Sequence, residues 1–423
     1  MVQNCDFHRN YHLIPQTPLI HFQYRQMGAA LRASEVKPKL DRYLLKLYDG
    51  DPKEWKKWLI PGQEKALNYQ MRIILTEEKA DLKGLKIGDC AAYFANMGDG
   101  DFKDFVFRHC RLEINCFIPE LLKFLDENIG SFFVLHNFGT RQSKGFGGFL
   151  VEGFDKPLFI RQTIEKAWPH HFSCISRNTD LRRRMAQANG IYTVMKNGTN
   201  QTRYDKGRYR FPDRYIKGYA VREFLPAGTG SDKAFIKAKV LPVPNGRMEP
   251  RKPYENYTFI RAMLGLADHY EFRDDMRNGG LKPNGKVRQS NVHVVHFKGT
   301  KVVNGKLQLD MKAVRKDEGI KRFRSPFLIK IFADRIFFIL EDGWKQMQGQ
   351  TFLILTDRQK RDKDYQKAQH IRTPDAFDPE AFISGFIEYF NSPAMQAKFL
   401  EFQDDKSGIR AIAGLTLEKG GRS

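Results

Sequence analysis

Arg141 and Lys144 sit in the stretch Asn137-Phe138-Gly139-Thr140-Arg141-Gln142-Ser143-Lys144-Gly145-Phe146-Gly147-Gly148-Phe149, which carries four glycines and three phenylalanines. Glycine tolerates positive φ and lets a second backbone come close. Bare N–H groups in such a loop can form a concave anion site. Arg141 and Lys144 add charge there, and Phe146 offers a flat face. Phosphate contact, positive charge and stacking together suit RNA. A nucleotide-hydrolysing phosphate loop runs from strand to loop to helix and ends in Gly-Lys-Ser/Thr. Here Lys144-Gly145 has the reverse order and no helix pattern follows, which excludes that class.

The residues able to cut RNA are fewer. Metal-free cleavage needs a base for a 2′-hydroxyl proton and cations for the crowded phosphate. His21 and His136 are the candidate bases. Asp99 and Asp101, in Asn96-Met97-Gly98-Asp99-Gly100-Asp101, are candidates for metal-assisted cleavage. That segment lacks the length and closing Glu of an EF-hand, so it reads first as a turn. Five cysteines lie scattered without a CxxC pair, which argues against a zinc site or a disulfide framework. No metal and no cofactor is expected.

The glycine stretch needs elements around it. Residues 105–116 alternate in part at period two and predict a strand. Pro119 to Asn128 predicts a helix ended by Gly130, followed by an apolar strand over 132–135 and another at 149–151. Upstream, 20–24 and 67–75 read as strands. Ser34 caps a helix that Pro38 interrupts, with Leu40, Tyr43, Leu44 and Leu47 as its apolar stripe. Arg32, Lys37, Lys39 and Arg42 crowd this region.

Gly139-x5-Gly145-Phe146-Gly147 resembles the glycine-rich signature of the RAMP superfamily of CRISPR-associated RNA-binding proteins. Ser34-Glu35-Val36-Lys37-Pro38-Lys39-Leu40-Asp41-Arg42 is similar to that superfamily's first-helix segment, with Pro38 where glycine is usual. Arg261 to Leu266 and Lys321-Arg322-Phe323-Arg324-Ser325-Pro326, ahead of a predicted hairpin, are similar to the family of the first-named subunit of the Cmr type III effector complex. The resemblance implies an α+β fold of two ferredoxin-like (RRM-like) units. It implies RNA contact by Gly139, Arg141, Lys144, Gly145, Phe146, Gly147, Arg32, Lys37, Lys39, Arg42, Arg261, Arg322 and Arg324. It also implies other CRISPR effector subunits as partners.

Composition fits this picture. The 423 residues carry 71 Lys plus Arg against 49 Asp plus Glu, a formal charge of +22. Such an excess favours a polyanion and a salt-dependent affinity. Cations and tyrosines interleave from about 177 to 250, as in a surface that holds single strands. The expected division is a first domain over 1–153 with the glycine-rich loop. A second, over 154–423, includes that basic aromatic insertion. The start lacks a signal peptide and no apolar run approaches a membrane span, so no membrane partner is expected and the cytoplasm is the expected setting.

The leading expectation is an RNA-binding subunit of a CRISPR type III-like antiviral effector complex, holding guide RNA or a guide–target duplex. The alternatives are a RAMP-type metal-independent endoribonuclease for CRISPR repeat RNA and a basic nucleic-acid-binding protein of an unrelated defence system.

Overall fold

The structure is a computed structural model that describes residues 7–20, 31–79, 107–176, 180–205, 208–241, 254–273, 289–402 and 408–420. His21, Asp99 and Asp101 lie outside the described residues. The fold is α+β, built from helices and several small, mostly antiparallel sheets.

The chain opens with β1 (His8–Pro15), α1 (Ala33–Leu47), β2 (Gln70–Lys79), β3 (Arg108–Asn115), α2 (Pro119–Leu135) and β4 (Phe149–Val151). These strands form one sheet in the order β2-β3-β1-β4, with antiparallel pairs throughout. Side chains alternate across a strand. One face of the sheet therefore turns Leu13, Leu112 and Ile114 onto Leu40 and Leu44 of α1 and Leu121 and Leu125 of α2, all buried. Each such side chain contributes about 1.5–3 kcal/mol by leaving water.

Two boundaries differ from the sequence reading. α1 runs through Pro38 without a break, because Val36, Leu40 and Leu44 are all buried on one stripe. α2 continues through Gly130 to Leu135, so 132–135 is its last turn and not a strand. Gly130 is there for packing: a Cβ would stand 2.4 Å from the Phe154 ring. Phe132 and Phe133 are fully buried.

Next come α3 (Pro157–Ala167), β5 (His171–Ile175) and α4 (Leu181–Lys196). Asp180 caps α4, its carboxylate accepting from Arg182 N at 2.9 Å. α4 also runs through a glycine, Gly190. Gly190 lets the backbone of Gly408 approach, and a Cβ would lie 2.4 Å from the Gly408 oxygen. A two-stranded ribbon follows, β6 (Gly198–Asp205) with β7 (Arg208–Lys217), and then β8 (His269–Arg273) and β9 (Gln289–Val295). The predicted hairpin is present as β10 (Phe327–Ile331) and β11 (Arg335–Leu340), closed by Phe332 N to Arg335 O at 3.0 Å. The chain ends with β12 (Thr351–Thr356), β13 (Gln369–Arg372), α5 (Pro379–Asn391), α6 (Pro393–Glu401) and β14 (Glu418–Lys419).

By contacts the chain divides into two units. The first holds residues 1–191, 328–340 and 390–423. Besides the first sheet it contains a second, in the order β10-β11-β5-β14. Val134 and Leu135 of α2, Leu150 of β4 and Ile164 of α3 share a buried cluster with Leu328, Phe337 and Ile339 of the second sheet. The second unit holds 192–327 and 341–389. It contains the ribbon and a sheet in the order β8-β9-β12-β13. In that unit Phe382 and Phe386 of α5 pack on Tyr219. Among the described residues no helix is long and apolar enough to cross a membrane.

Candidate nucleic-acid interface

The glycine stretch leaves α2 at His136 and enters β4 at Phe149. Its base is a short ladder: Asn137 bridges Gly148, and Phe138 N donates to Gly147 O at 2.9 Å. Gly139, Gly145 and Gly147 all have φ between +74° and +86°. At Gly147 the need for glycine is absolute in steric terms, since a Cβ would stand 1.9 Å from the Phe138 oxygen.

Three sides of the stretch are tied down. From α1, Glu35 Oε1 accepts from Gly139 N at 2.8 Å. Lys39 Nζ donates to Glu35, to Asn137 O and to Gln142 Oε1, each at 3.1 Å. From the segment after β1, Ile20 O accepts from Thr140 N, Pro18 O from Gly147 N, and Thr17 Oγ1 from Gly148 N. From β10, Lys330 lies beneath the loop, 1% exposed. Its ammonium donates to His136 O and Asn137 Oδ1, both at 2.7 Å. Asn137 in turn donates to Gln142 O at 2.8 Å and Ile329 O at 3.0 Å.

Two expectations about the loop are corrected by this wiring. The N–H groups of Gly139, Gly145, Gly147 and Gly148 all donate to acceptors of the protein. The glycines therefore serve close backbone packing, and they do not line an anion cradle. Phe146 is 2% exposed, so its ring fills the interior and is not offered to a base. What reaches the surface is the half-buried tip, Thr140 to Lys144. Arg141 starts it at φ 58° and leads into a single 3-10 turn over Gln142–Lys144.

The other cations sort by partner. Lys37 donates to the buried Asp41 and to Leu67 O, both at 2.8 Å, and lies over the Tyr69 ring. Lys39 is the tie just described. Arg261 is clamped on the buried Asp232, with Nε 2.7 Å from the carboxylate, and packs against Tyr270. These three therefore act inside the protein, against the expectation that they contact RNA. Arg32 and Arg42 of the α1 segment are exposed. In the second unit Arg322 and Arg324 are 71% and 74% exposed, paired with Asp268 and Glu341. Asp268 is itself exposed while Glu341 is half-buried, and surface pairs of this kind contribute little.

His136 is a poor general base. Its ring lies against Phe132 and Tyr43, and Nδ1 contacts Phe132 O at 2.9 Å. Burial pulls its pKa down to about 4, with Lys330 and Lys39 adding to the effect. His293 in β9 and His296, one residue past its end, have separate partners: His293 meets Asp357 and Lys360, His296 meets Gln350 and the Ile320 amide. Strand pairing also brings together two histidines that sequence reading did not connect. His12 of β1 and His109 of β3 stack with centroids 5.0 Å apart, and His12 lies 3.4 Å from Glu152. The alternation over 105–116 was the available signal for their shared face. Among the described residues no group of three His, Cys, Asp or Glu side chains is placed to hold a metal ion.

Comparison with known families decides the relationship. A model of the Cmr1 N-terminal domain matches residues 7–199, and one of the Cmr1 C-terminal domain matches 215–407. The chain belongs to the Cmr1 family. That places it among CRISPR type III Cmr-complex subunits. No curated protein matches the chain. The two Cmr1 matches meet between 199 and 215, within the β6–β7 ribbon, while the glycine loop falls wholly inside the N-terminal match.

Proposed function

We propose that this Cmr1-family chain is the RNA-binding subunit of a cytoplasmic type III antiviral effector complex, holding guide RNA or a guide–target duplex beside other effector subunits. It does so with two ferredoxin-like units, over 1–153 and 154–423. The strand and helix order of the first sheet, βαββαβ with neighbours β4-β1-β3-β2, supports the first. The order β5, α4, β10, β11, α5, β14 with neighbours β14-β5-β11-β10 supports the second, with a long insertion after α4.

The observation that carries the reading is the tip at 140–144. A rigidly tied loop holds Arg141 and Lys144 half-buried at the surface of a chain with formal charge +22. Base pairing then reads sequence while the protein grips the backbone, a division known in RNA-guided systems. In the second unit, the sequence of β7 carries Arg208, Arg210, Arg214 and Lys217.

The test is RNA affinity against salt concentration. Arg141→Ala with Lys144→Ala should lower affinity by roughly tenfold. It should also make the slope of log K against log salt shallower by about 1.4–1.8, the loss of two phosphate contacts. Wild-type affinity and slope in the double variant would refute a role for this tip. Discrete cleavage of repeat RNA in EDTA would favour the endoribonuclease instead.

A further inference from the structure

Within the first unit, α3 packs its middle on the second sheet and leaves a gap at its start. Side chains alternate along a strand, so Arg335, Phe337 and Ile339 of β11 share a face. Phe337 and Ile339 meet Ile160 and Ile164 of α3 in a buried cluster. Toward the first turn of α3 the packing opens. Leu158 there is 66% exposed, and Ile175, paired with Arg335, is 43% exposed. Between that turn and the start of β11 lies a cleft of about 260 Å³, walled by Pro157, Leu158 and Phe337 and edged by Arg161, Asp334 and Arg335. Pockets for drug-sized ligands run from about 300 to 1,000 Å³, so this cleft suits a group the size of one ring system.

The two guanidiniums at the rim are tied but not saturated. Arg335 Nη1 donates to Ser173 Oγ at 2.9 Å and to Glu418 Oε2 at 2.6 Å, and Arg161 Nε donates to Glu165 Oε1 at 2.7 Å. A guanidinium has five N–H donors, so both keep donors to spare. Asp334 is exposed, and its backbone oxygen accepts from Ser176 N at 2.8 Å. Its carboxylate forms no ion pair among the described residues, and Arg184 acts on it only from longer range. With Glu418 and Glu165 on the guanidiniums and Asp334 beside them, these groups do not sum to a positive charge. A phosphate therefore gains nothing here. A flat neutral group that both donates and accepts fits better, because apolar walls and guanidinium planes are surfaces on which bases stack. Guanine matches the rim atom by atom. Its N1–H and N2 amine lie side by side for a carboxylate, which only accepts, and its O6 and N7 accept from a guanidinium. Adenine and cytosine instead set one amine beside a bare acceptor nitrogen, which a carboxylate repels.

We propose that the cleft between the start of α3 and the start of β11 binds a guanine base, with Asp334 on its N1–H and N2 amine, Arg161 or Arg335 on O6 and N7, and Leu158 covering the ring. The base belongs either to an RNA strand or to a free guanine nucleoside or nucleotide. Only the first of these sources rests on the RNA-binding reading above, and neither depends on the tip at 140–144.

The experiment is equilibrium dialysis of the full chain against the four nucleosides, which carry no phosphate to be held elsewhere on a basic surface. Guanosine should bind with a Kd of roughly 0.1–1 mM. Adenosine, cytidine and uridine should bind about tenfold more weakly, the size of one hydrogen bond to a charged group. Inosine, which keeps N1–H and O6 but lacks the N2 amine, should fall between. Asp334→Asn, a change at an exposed position, should bring guanosine down to the level of adenosine. Arg141→Ala with Lys144→Ala should bind guanosine as wild type does, so failure of the tip and failure of the cleft are separate results. No binding of guanosine, equal binding of the four nucleosides, or a guanosine preference that survives in Asp334→Asn would overturn the proposal. Binding of an arginine amide in place of guanosine would overturn it too, by giving the cleft to a protein partner. RNA affinity then names the source. An oligouridine with one internal guanosine that binds wild type roughly tenfold more tightly than plain oligouridine, with the gain lost in Asp334→Asn, assigns the cleft to an RNA base. Equal affinity for the two oligomers, with guanosine itself still bound, assigns it to a free guanine nucleoside or nucleotide.

Discussion

Gly147→Ala should cost on the order of 4 kcal/mol and collapse the loop, while Gly153→Ala, six residues on, should cost about 1 kcal/mol. Both glycines have positive φ, +74° and +87°. The left-handed conformation costs a residue with a Cβ about 1–2 kcal/mol, and this is common to the two. They differ in space. A Cβ at Gly153 meets nothing within 4 Å, whereas one at Gly147 is driven into the Phe138 carbonyl at 1.9 Å. Relief requires separating the two strands of the loop base. That breaks the bond from Phe138 N to Gly147 O and the one from Gly147 N to Pro18 O, each about 1 kcal/mol net. Urea denaturation of the two variants measures the difference. Equal losses would mean that the close approach at 147 is not a constraint. RNA affinity should fall in Gly147→Ala even at temperatures where the rest of the chain stays folded, because the tip loses its support.

Lys330→Met is the second large effect, and its signature is a change with pH. The ammonium satisfies His136 O and Asn137 Oδ1 in the interior. Removing it leaves buried acceptors without a donor, at about 1–3 kcal/mol each. Against this, wild type carries a penalty for burying the charge. Burial first, and Lys39 second, hold the Lys330 pKa well below 10.5 in the folded protein. In the unfolded chain the lysine keeps its proton up to about 10.4. Between the folded and unfolded values the unfolded state binds more protons, so wild-type stability rises with pH across that window. Below the folded value the contribution is flat and at its lowest. The difference in stability between wild type and Lys330→Met should therefore widen from pH 7 to pH 10, with wild type gaining. Curves that stay parallel across this range would show that the charge is not buried as described.

The sequence made parts of this site readable and hid others for definite reasons. The signature glycines were visible because positive φ and close approach leave glycine as the residue that fits. Their purpose was misjudged, since a sequence does not show where backbone N–H groups point. Here they point at Glu35, Thr17 and Pro18. The hairpin at 327–340 was legible from two apolar runs around a short turn. Gly130 was read as a helix stop, but it and Gly190 both sit where another chain segment presses on the helix. Propensity is a weak prior that such tertiary contacts override.

Residue types and their order were enough to set the family, the α+β class, the basic character and the position of the loop. Those properties follow from local chemistry, which is written residue by residue. Only the folded chain decided which cations are ligands of the protein and which face outward. Lys37, Lys39 and Arg261 met Asp41, Glu35 and Asp232, while Arg32, Arg42, Arg322 and Arg324 stayed at the surface. A lysine's role depends on the acceptors within about 3 Å of its nitrogen. Those come from segments up to 194 residues away, as His136 does for Lys330. No spacing rule along a chain carries that information.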